Sequence, residues 1–137
     1  MSTLNPYVSF DGSAKAAMER YQQIFGGDLA LNTFGEYGME GEGSDGVMHA
    51  QLTTPAGFTL MASDTPPGMP AASSEGNMSI SLSGDDEAEL RGYWDGLADG
   101  GQVTMPLEPQ MWGDTYGQLT DQFGVSWMVN IAGPQAS

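Results

Sequence analysis

His49 is the only histidine in a chain of 137 residues, and the chain contains no cysteine. An imidazole can act as a general base, or it can orient a bound molecule through a hydrogen bond. A lone histidine can equally be a hydrogen-bonded pocket or core residue that takes no part in a reaction. One imidazole and no thiol exclude thiol nucleophiles, thiolate metal sites and any site that needs two histidines. His49 is therefore the candidate catalytic residue.

The charge balance limits the partners that the chain is expected to have. Three Lys and Arg residues stand against 18 Asp and Glu residues, which gives a net charge of -15 at pH 7. Nucleic acids and anionic membrane surfaces attract cationic side chains, so neither is expected as a partner. No apolar run reaches the roughly 20 residues of a membrane span, and residues 1–5 do not resemble a signal peptide. These features predict a cytoplasmic protein whose partner is a small molecule.

An internal repeat relates the two halves of the chain. The stretch 51–61 recurs as 118–128, with matching Gln, Leu, Thr, Gly and Met residues at a constant offset of 67 (118 − 51 and 128 − 61). Upstream, Asn5 and Gly12 correspond to Asn77 and Gly84 at an offset of 72 (77 − 5 and 84 − 12). Insertions in loops would produce such a small change in offset. The repeat predicts a fold built from two similar modules.

Hydrophobic periodicity predicts the same β-α-β-β-β order in each module. Helices are expected at 13–25, with Asp11 or Ser13 at the N-terminus, and at 85–98. The predicted strands are 7–10, 28–34, 47–54 and 58–63 in the first half, and 78–82, 102–107, 116–120 and 125–131 in the second. We therefore predict an α+β fold, in which two tandem βαβββ modules form a curved mixed sheet around a shared cleft. Residues 1–137 would form a single domain, with modules at about 1–64 and 76–131 joined by a Pro-, Gly- and Ser-rich linker at 65–75.

Strand alternation predicts which side chains face the cleft. In the 78–82 run, Met78, Ile80 and Leu82 are expected to contact the helix, which directs residues such as Ser79 to the other face. With the repeat, the same alternation assigns these residues to the cleft: Tyr7, His49, Gln51, Met61, Asn77, Ser79, Tyr116, Gln118 and Met128. Trp112 is either a core or dimer-interface residue or a wall that stacks over a flat ligand. This mixture of groups suits a neutral or cationic organic ligand.

Several short motifs carry a family resemblance. They are Phe25-Gly26-Gly27, Met48-His49-Ala50, residues 60–64, Trp112-Gly113 and residues 121–130. On these motifs the chain resembles the vicinal oxygen chelate superfamily, the fold of glyoxalases, bleomycin-resistance proteins and extradiol dioxygenases, and within it the PhnB-like branch. The resemblance covers nearly the whole chain.

The resemblance implies a symmetric homodimer, because proteins of this family commonly pair so that modules of two subunits complete each other's clefts. Trp112 and Trp127 lie close in sequence to Gly113, Gly117 and Gly124, where two backbones can approach closely. We therefore predict that these segments contribute to the dimer interface.

In metal-dependent members of the superfamily, His, Gln or Glu side chains on the first and fourth strands hold a divalent ion. The matching positions here are Asn5 or Tyr7, Asn77 or Ser79, Met61 and Met128. A thioether is a soft ligand and a neutral amide binds weakly, so we expect neither a metal nor another cofactor. Proteins of this branch are sometimes described as ubiquinone-pathway methyltransferases, but no glycine-rich nucleotide-binding turn follows a predicted strand.

Three functional hypotheses follow. The first is a metal-independent small-molecule-binding protein of the bleomycin-resistance type, which sequesters or carries a neutral or cationic organic ligand. The second is an enzyme of the glyoxalase or dioxygenase type, an isomerase, lyase or dioxygenase with an atypical metal site or with His49 as its base. The third is a structural or regulatory dimer, in which Tyr7, Met61 and Met128 pack together and fill the cleft.

Overall fold

The computed structural model of the chain describes residues 4–38, 45–65 and 78–133. The chain divides into two compact units, unit 1 at Met1–Ser74 and unit 2 at Glu75–Ser137. Each unit contains one α-helix and one four-stranded sheet. None of the helices in the described parts of the chain is long and apolar enough to cross a membrane.

Unit 1 has the β-α-β-β-β order. Its elements are β1 (Tyr7–Phe10), α1 (Ala14–Phe25), β2 (Asp28–Thr33), a single 3-10 turn (Gly35–Tyr37), β3 (Val47–Thr53) and β4 (Thr59–Asp64). The strand order in the sheet is β1-β4-β3-β2. Strand β1 pairs with β4 in parallel, and the other neighbours are antiparallel.

Unit 2 repeats this topology. Its elements are β5 (Ile80–Gly84), α2 (Glu87–Ala98), β6 (Gln102–Pro109), β7 (Thr115–Thr120) and β8 (Ser126–Ile131). The strand order is β5-β8-β7-β6, with β5 parallel to β8. The α+β fold with two βαβββ modules is thus confirmed, with one mixed four-stranded sheet in each module.

The helix of each unit covers one face of its sheet. Buried side chains of α1 recur at intervals of three or four residues and form one apolar stripe. They are Ala14, Ala17, Met18, Tyr21 and Phe25. Buried residues alternate along β4, as expected for a strand with one covered face, and along β3 from Ala50 onward. Between Val47 and Ala50 the alternation is interrupted, at the point where the register of β3 with β2 shifts. The buried residues of the two strands are Val47, Ala50, Leu52, Leu60, Ala62 and Asp64.

The core of unit 2 is built around two tryptophans. Trp94 on α2 and Trp127 on β8 are both buried, with Leu90 and Leu97 completing the buried stripe of α2. Gly117 on β7 allows this packing, because a Cβ atom there would lie 2.7 Å from Cη2 of Trp94.

Two sequence-based expectations are wrong in detail. Met78 does not contact the helix, because β5 begins only at Ile80 and the Met78 side chain is 83% exposed. Trp127 is only 1% exposed, and its Nε1 donates a hydrogen bond to Oδ2 of Asp121 at 2.8 Å. Trp127 is therefore a core residue and cannot contribute to a dimer interface. The shared cleft and the arrangement of the modules as one domain stay predictions.

Candidate functional site

Each sheet has a second face, directed away from its helix, which we call the far face. In unit 1, Tyr7 pairs in register with Met61, and Met61 pairs with Gln51 on the next strand. Side chains at paired positions of neighbouring strands lie on the same face. Tyr7, Met61 and Gln51 therefore form one row across the far face of unit 1.

His49 lies on the same face, two residues before Gln51 on β3. Its ring and the ring of Tyr7 have centroids 6.0 Å apart, with an angle of 35° between the planes. Its register partner on β2 is Asn32. Within the described parts of the chain, no side chain or backbone group hydrogen-bonds to the His49 imidazole. Neither ring nitrogen therefore has a hydrogen-bond partner among the described residues.

On the far face of unit 2, side chains of β7 and β8 hydrogen-bond to one another. The amide Nε2 of Gln118 donates to Oη of Tyr116 at 2.8 Å. The Tyr116 hydroxyl in turn donates to the sulfur of Met128 at 3.7 Å. The register supports this arrangement, because Gln118 pairs with Met128 directly across the two strands. The three side chains therefore form one continuous polar row.

Trp112 extends this row from the turn between β6 and β7. Its ring packs edge-on against Tyr116, with a centroid distance of 6.0 Å and an interplanar angle of 62°. Trp112 remains 59% exposed, so most of its ring is free to contact another molecule. Its position excludes the core hypothesis for this residue and leaves the ligand wall and the dimer interface open.

Of the two remaining predicted site residues, Ser79 lies one residue before β5. Ser79 is exposed, and its hydroxyl hydrogen-bonds to the Ser126 hydroxyl at 2.7 Å. Asn77 lies outside the described residues. The structure thus brings the predicted residues together as two sets, one on the far face of each unit, and their binding roles stay predictions.

Asp114 is a residue of this region that the sequence did not indicate. Its carboxylate accepts hydrogen bonds from the Gly133 backbone N–H at 2.9 Å and from Nδ2 of Asn130 at 3.0 Å. These two hydrogen bonds, the Gly133 contact first, lower the pKa of Asp114, while desolvation opposes them weakly. Asp114 thereby ties the turn that carries Trp112 to the end of β8. Its partners are 16 and 19 residues away, so no local motif could have identified it.

The far faces are related by the internal repeat. At the offset of 67 residues, Gln51 corresponds to Gln118 and Met61 to Met128, while His49 corresponds to Tyr116. Equivalent positions of β3 and β7 therefore carry an imidazole in unit 1 and a phenol in unit 2.

These residues do not fit the divalent metal of metal-dependent superfamily members. The first- and fourth-strand positions of unit 1 carry Tyr7 and Met61, and Ser79 is hydrogen-bonded to Ser126 in unit 2. A thioether and neutral hydroxyls are poor ligands for a hard or borderline cation. Among residues 4–38, 45–65 and 78–133, no three His, Asp or Glu side chains cluster in a way that could hold a metal ion.

The fold of this chain is similar to that of a solved glyoxalase-type domain. It aligns with the glyoxylase/bleomycin resistance protein/dioxygenase domain from Frankia sp. EAN1pec with a TM-score of 0.63, over 96% of this chain and 98% of that one, at 14% identity. This likeness concerns the fold alone, and it confirms the predicted glyoxalase/bleomycin-resistance fold.

The family follows from the sequence match. Residues 2–130 match the family described as 3-demethylubiquinone-9 3-methyltransferase, and the chain belongs to that family. It is similar to the PA1353 protein of Pseudomonas aeruginosa, at 40% identity and a TM-score of 0.86 over 96% of this chain and 98% of that one. It is 30% identical to protein YjdN of Escherichia coli strain K12, over 96% of this chain and 97% of YjdN.

A structure of the PhnB protein from Bacillus cereus has a TM-score of 0.73 at 26% identity, over 96% of this chain and 100% of that one. These matches confirm the predicted PhnB-like branch. The family description names a methyltransferase, yet the segments that lead into the helices are Asp11-Gly12-Ser13 and Asp85-Asp86. Neither segment is a glycine-rich nucleotide-binding turn.

Proposed function

We propose that this protein binds a neutral or cationic organic molecule on the far faces of its sheets, without a metal and without transforming the molecule. The observation that carries the proposal is the Trp112–Tyr116–Gln118 arrangement of unit 2. It combines a half-exposed aromatic wall with hydrogen-bonded polar groups whose geometry is already set. Pockets for small molecules typically combine apolar surface with a few placed polar groups.

The far face of unit 1 supports the same proposal. The rings of Tyr7 and His49 lie side by side, and Tyr7 is 52% exposed. The exposed Tyr7 ring also argues, within unit 1, against the hypothesis that this tyrosine fills the cleft. An aromatic ring beside an imidazole offers apolar contact and hydrogen bonding together.

The charge of the chain supports a preference for neutral or cationic molecules over anions. At a net charge of -15, the protein repels anionic compounds and attracts cations at long range. Aromatic faces such as that of Trp112 also attract cations at close range, by about 0.5–1 kcal/mol at exposed sites.

The enzymatic alternative rests on the His49 imidazole, to which no group in the described segments hydrogen-bonds. Such an imidazole can accept a proton from a bound substrate. The two functions differ in what leaves the protein: a binding protein releases the molecule unchanged, whereas an enzyme releases a product.

The test is a thermal-shift screen of neutral and cationic aromatic compounds in the presence of a chelator, followed by analysis of each bound compound after release. We expect hits that are recovered unchanged. Trp112→Ala should weaken their binding by about 0.5–1.5 kcal/mol, the usual contribution of an aromatic pair. Met111→Ala is the matched control, because Met111 lies in the same turn and is 99% exposed. Equal loss in both variants, or chemical conversion of the hits, would contradict the proposal.

A further inference from the structure

The Tyr116 hydroxyl accepts a hydrogen bond from one neighbour but donates its own proton only to a weak acceptor. Gln118 donates to the phenol oxygen at 2.8 Å, so the oxygen already acts as an acceptor. The hydroxyl proton is directed to the sulfur of Met128 at 3.7 Å. A thioether is a weak acceptor, and a phenol is a good donor.

A stronger acceptor would therefore displace the sulfur. An oxygen atom of a bound molecule can take the Tyr116 proton without breaking the bond from Gln118. That bond even strengthens the donor, because a hydrogen bond accepted by a hydroxyl polarises its own O–H group. The cost of the exchange is the weak contact with Met128 alone.

The corresponding position in unit 1 lacks this arrangement. His49 replaces the phenol, and Nε2 of Gln51 is directed to Oγ1 of Thr53 at 3.5 Å and not to the residue at position 49. The polarised donor is therefore a feature of unit 2, not a general consequence of the repeat.

We propose that Tyr116 determines the ligand specificity of unit 2 by donating a hydrogen bond to a carbonyl-type oxygen on a flat, apolar molecule. The exposed ring of Trp112, edge-on to Tyr116, provides the contact for the flat part. This inference rests on the proposed function and adds the chemical class of the ligand. The acceptor oxygen is uncharged, since the net charge of -15 disfavours anions.

Two probe molecules of the same shape test the inference. Acetophenone carries a carbonyl oxygen, and α-methylstyrene carries a methylene group in its place. Ligand-observed NMR titrations at millimolar concentration would give the affinity of each probe. We expect the wild-type protein to bind acetophenone about 2- to 10-fold more tightly, the usual effect of one added hydrogen bond.

Variants identify the donor. Tyr116→Phe should abolish the preference for acetophenone and leave the affinity for α-methylstyrene unchanged. Tyr93→Phe is the matched control, because the Tyr93 hydroxyl on α2 donates to Glu89, and it should keep the preference. Met128→Leu removes the competing sulfur and should increase the preference for acetophenone, an effect that a purely structural role of Tyr116 would not produce.

The possible failures are distinguishable. Equal affinity for both probes, or a preference that survives in Tyr116→Phe, would overturn this inference and leave small-molecule binding intact. If neither probe bound to the wild-type protein, the proposed binding face itself would be refuted and the inference with it.

Discussion

Two buried carboxylates of this protein, Asp64 and Asp121, act as hydrogen-bond acceptors for backbone N–H groups. Asp64 accepts from the backbone N–H groups of Gly12, Ala14 and Val47, each at 2.9 Å. Asp121 accepts from Phe123 and Val125 as well as from the Trp127 ring. Both carboxylates are buried, at 5% and 6% exposure. A chain with 18 acidic residues thus uses a few of them to bind backbone N–H groups inside the fold.

Asp114 provides a pH-dependent prediction at the residue scale. Because its pKa is lowered below the ordinary 3.8, its hydrogen bonds stabilise the folded chain above that pH. The stabilisation is lost as the pH falls through the lowered pKa. Asp114→Asn should therefore lower the melting temperature at pH 6, with a difference from wild type that shrinks as the pH falls below about 4.

The control for Asp114→Asn is Asp95→Asn, an exposed position on α2. Both substitutions remove one negative charge from an acidic chain, so the comparison isolates the hydrogen bonds. The account fails for Asp114 if the two variants show the same melting temperature between pH 3 and pH 6.

The metal prediction also belongs to the residue scale. Because Tyr7 and Met61 occupy ligand-equivalent positions, zinc, nickel, manganese or iron(II) should leave the melting temperature nearly unchanged. A specific site would stabilise the fold by about 2.7 kcal/mol at a hundred times the dissociation constant. The test is to measure the melting temperature by differential scanning calorimetry after chelation, with each ion added back singly. A clear upward shift with one ion would show that the donor set has been misjudged.

At the scale of elements, the packing of α2 on β7 depends on the missing side chain of Gly117. A Cβ atom there would lie 2.7 Å from the Trp94 ring and 2.8 Å from the Leu107 Cα atom. Gly117→Ala should therefore destabilise the protein by about 1–3 kcal/mol, the usual cost of overpacking.

The matched control is Gly92→Ala on α2, where an added Cβ meets nothing within 4 Å. Alanine is a better helix former than glycine, so this variant should stabilise the protein by about 0.5–1 kcal/mol. Urea denaturation of both variants measures the change in the free energy of unfolding, which should fall for Gly117→Ala and rise for Gly92→Ala. A neutral Gly117→Ala would mean that Trp94 can move aside.

The N-terminal caps of the two helices differ in whether they can be predicted from the sequence. Asp86, within the helix predicted at 85–98, is the N-cap residue of α2, and its side chain accepts a hydrogen bond from the Glu89 backbone N–H three residues on. Ser13 is the N-cap residue of α1, as the sequence predicted, but its side chain makes no capping hydrogen bond. Asp64 on β4 takes that role from about 50 residues away. Local caps can be predicted from sequence, but caps supplied by another element cannot.

The face on which each strand residue lies could also be predicted from local sequence. Side chains alternate along a strand, so one apolar set fixes both faces. His49, Gln51 and Met61 follow this rule on β3 and β4. The rule failed at Met78, because it needs a paired strand and β5 begins two residues later. The contact between Trp112 and Tyr116 depends on the turn geometry, which alternation does not describe.

At the scale of the whole molecule, the symmetric homodimer is a prediction that the exposed Trp112 supports. Its ring is 59% exposed, whereas Trp127 is buried and no longer contributes to the argument. Sedimentation velocity at micromolar concentration should show a dimer. His49→Ala and Tyr116→Phe should leave the dimer intact while weakening ligand binding. A monomer at that concentration would contradict the prediction. The ligand wall would then be the remaining hypothesis for Trp112.

The acidic charge also bears on location and partners. Nothing in the fold alters the expectations of a cytoplasmic location and of no affinity for nucleic acid, and both stay predictions. With three Lys and Arg residues in the chain, a nucleic acid would find few cationic contacts.

The central claim is that the far faces bind a small organic molecule without a metal. A native mass spectrum of the protein purified from its own host, recorded after chelation, tests it most directly. We expect a species whose added mass is that of one organic compound, which dissociates on mild activation and is less abundant in Trp112→Ala than in Met111→Ala. A stoichiometric transition-metal mass, or only the bare protein with an unchanged Trp112→Ala spectrum, would contradict the account.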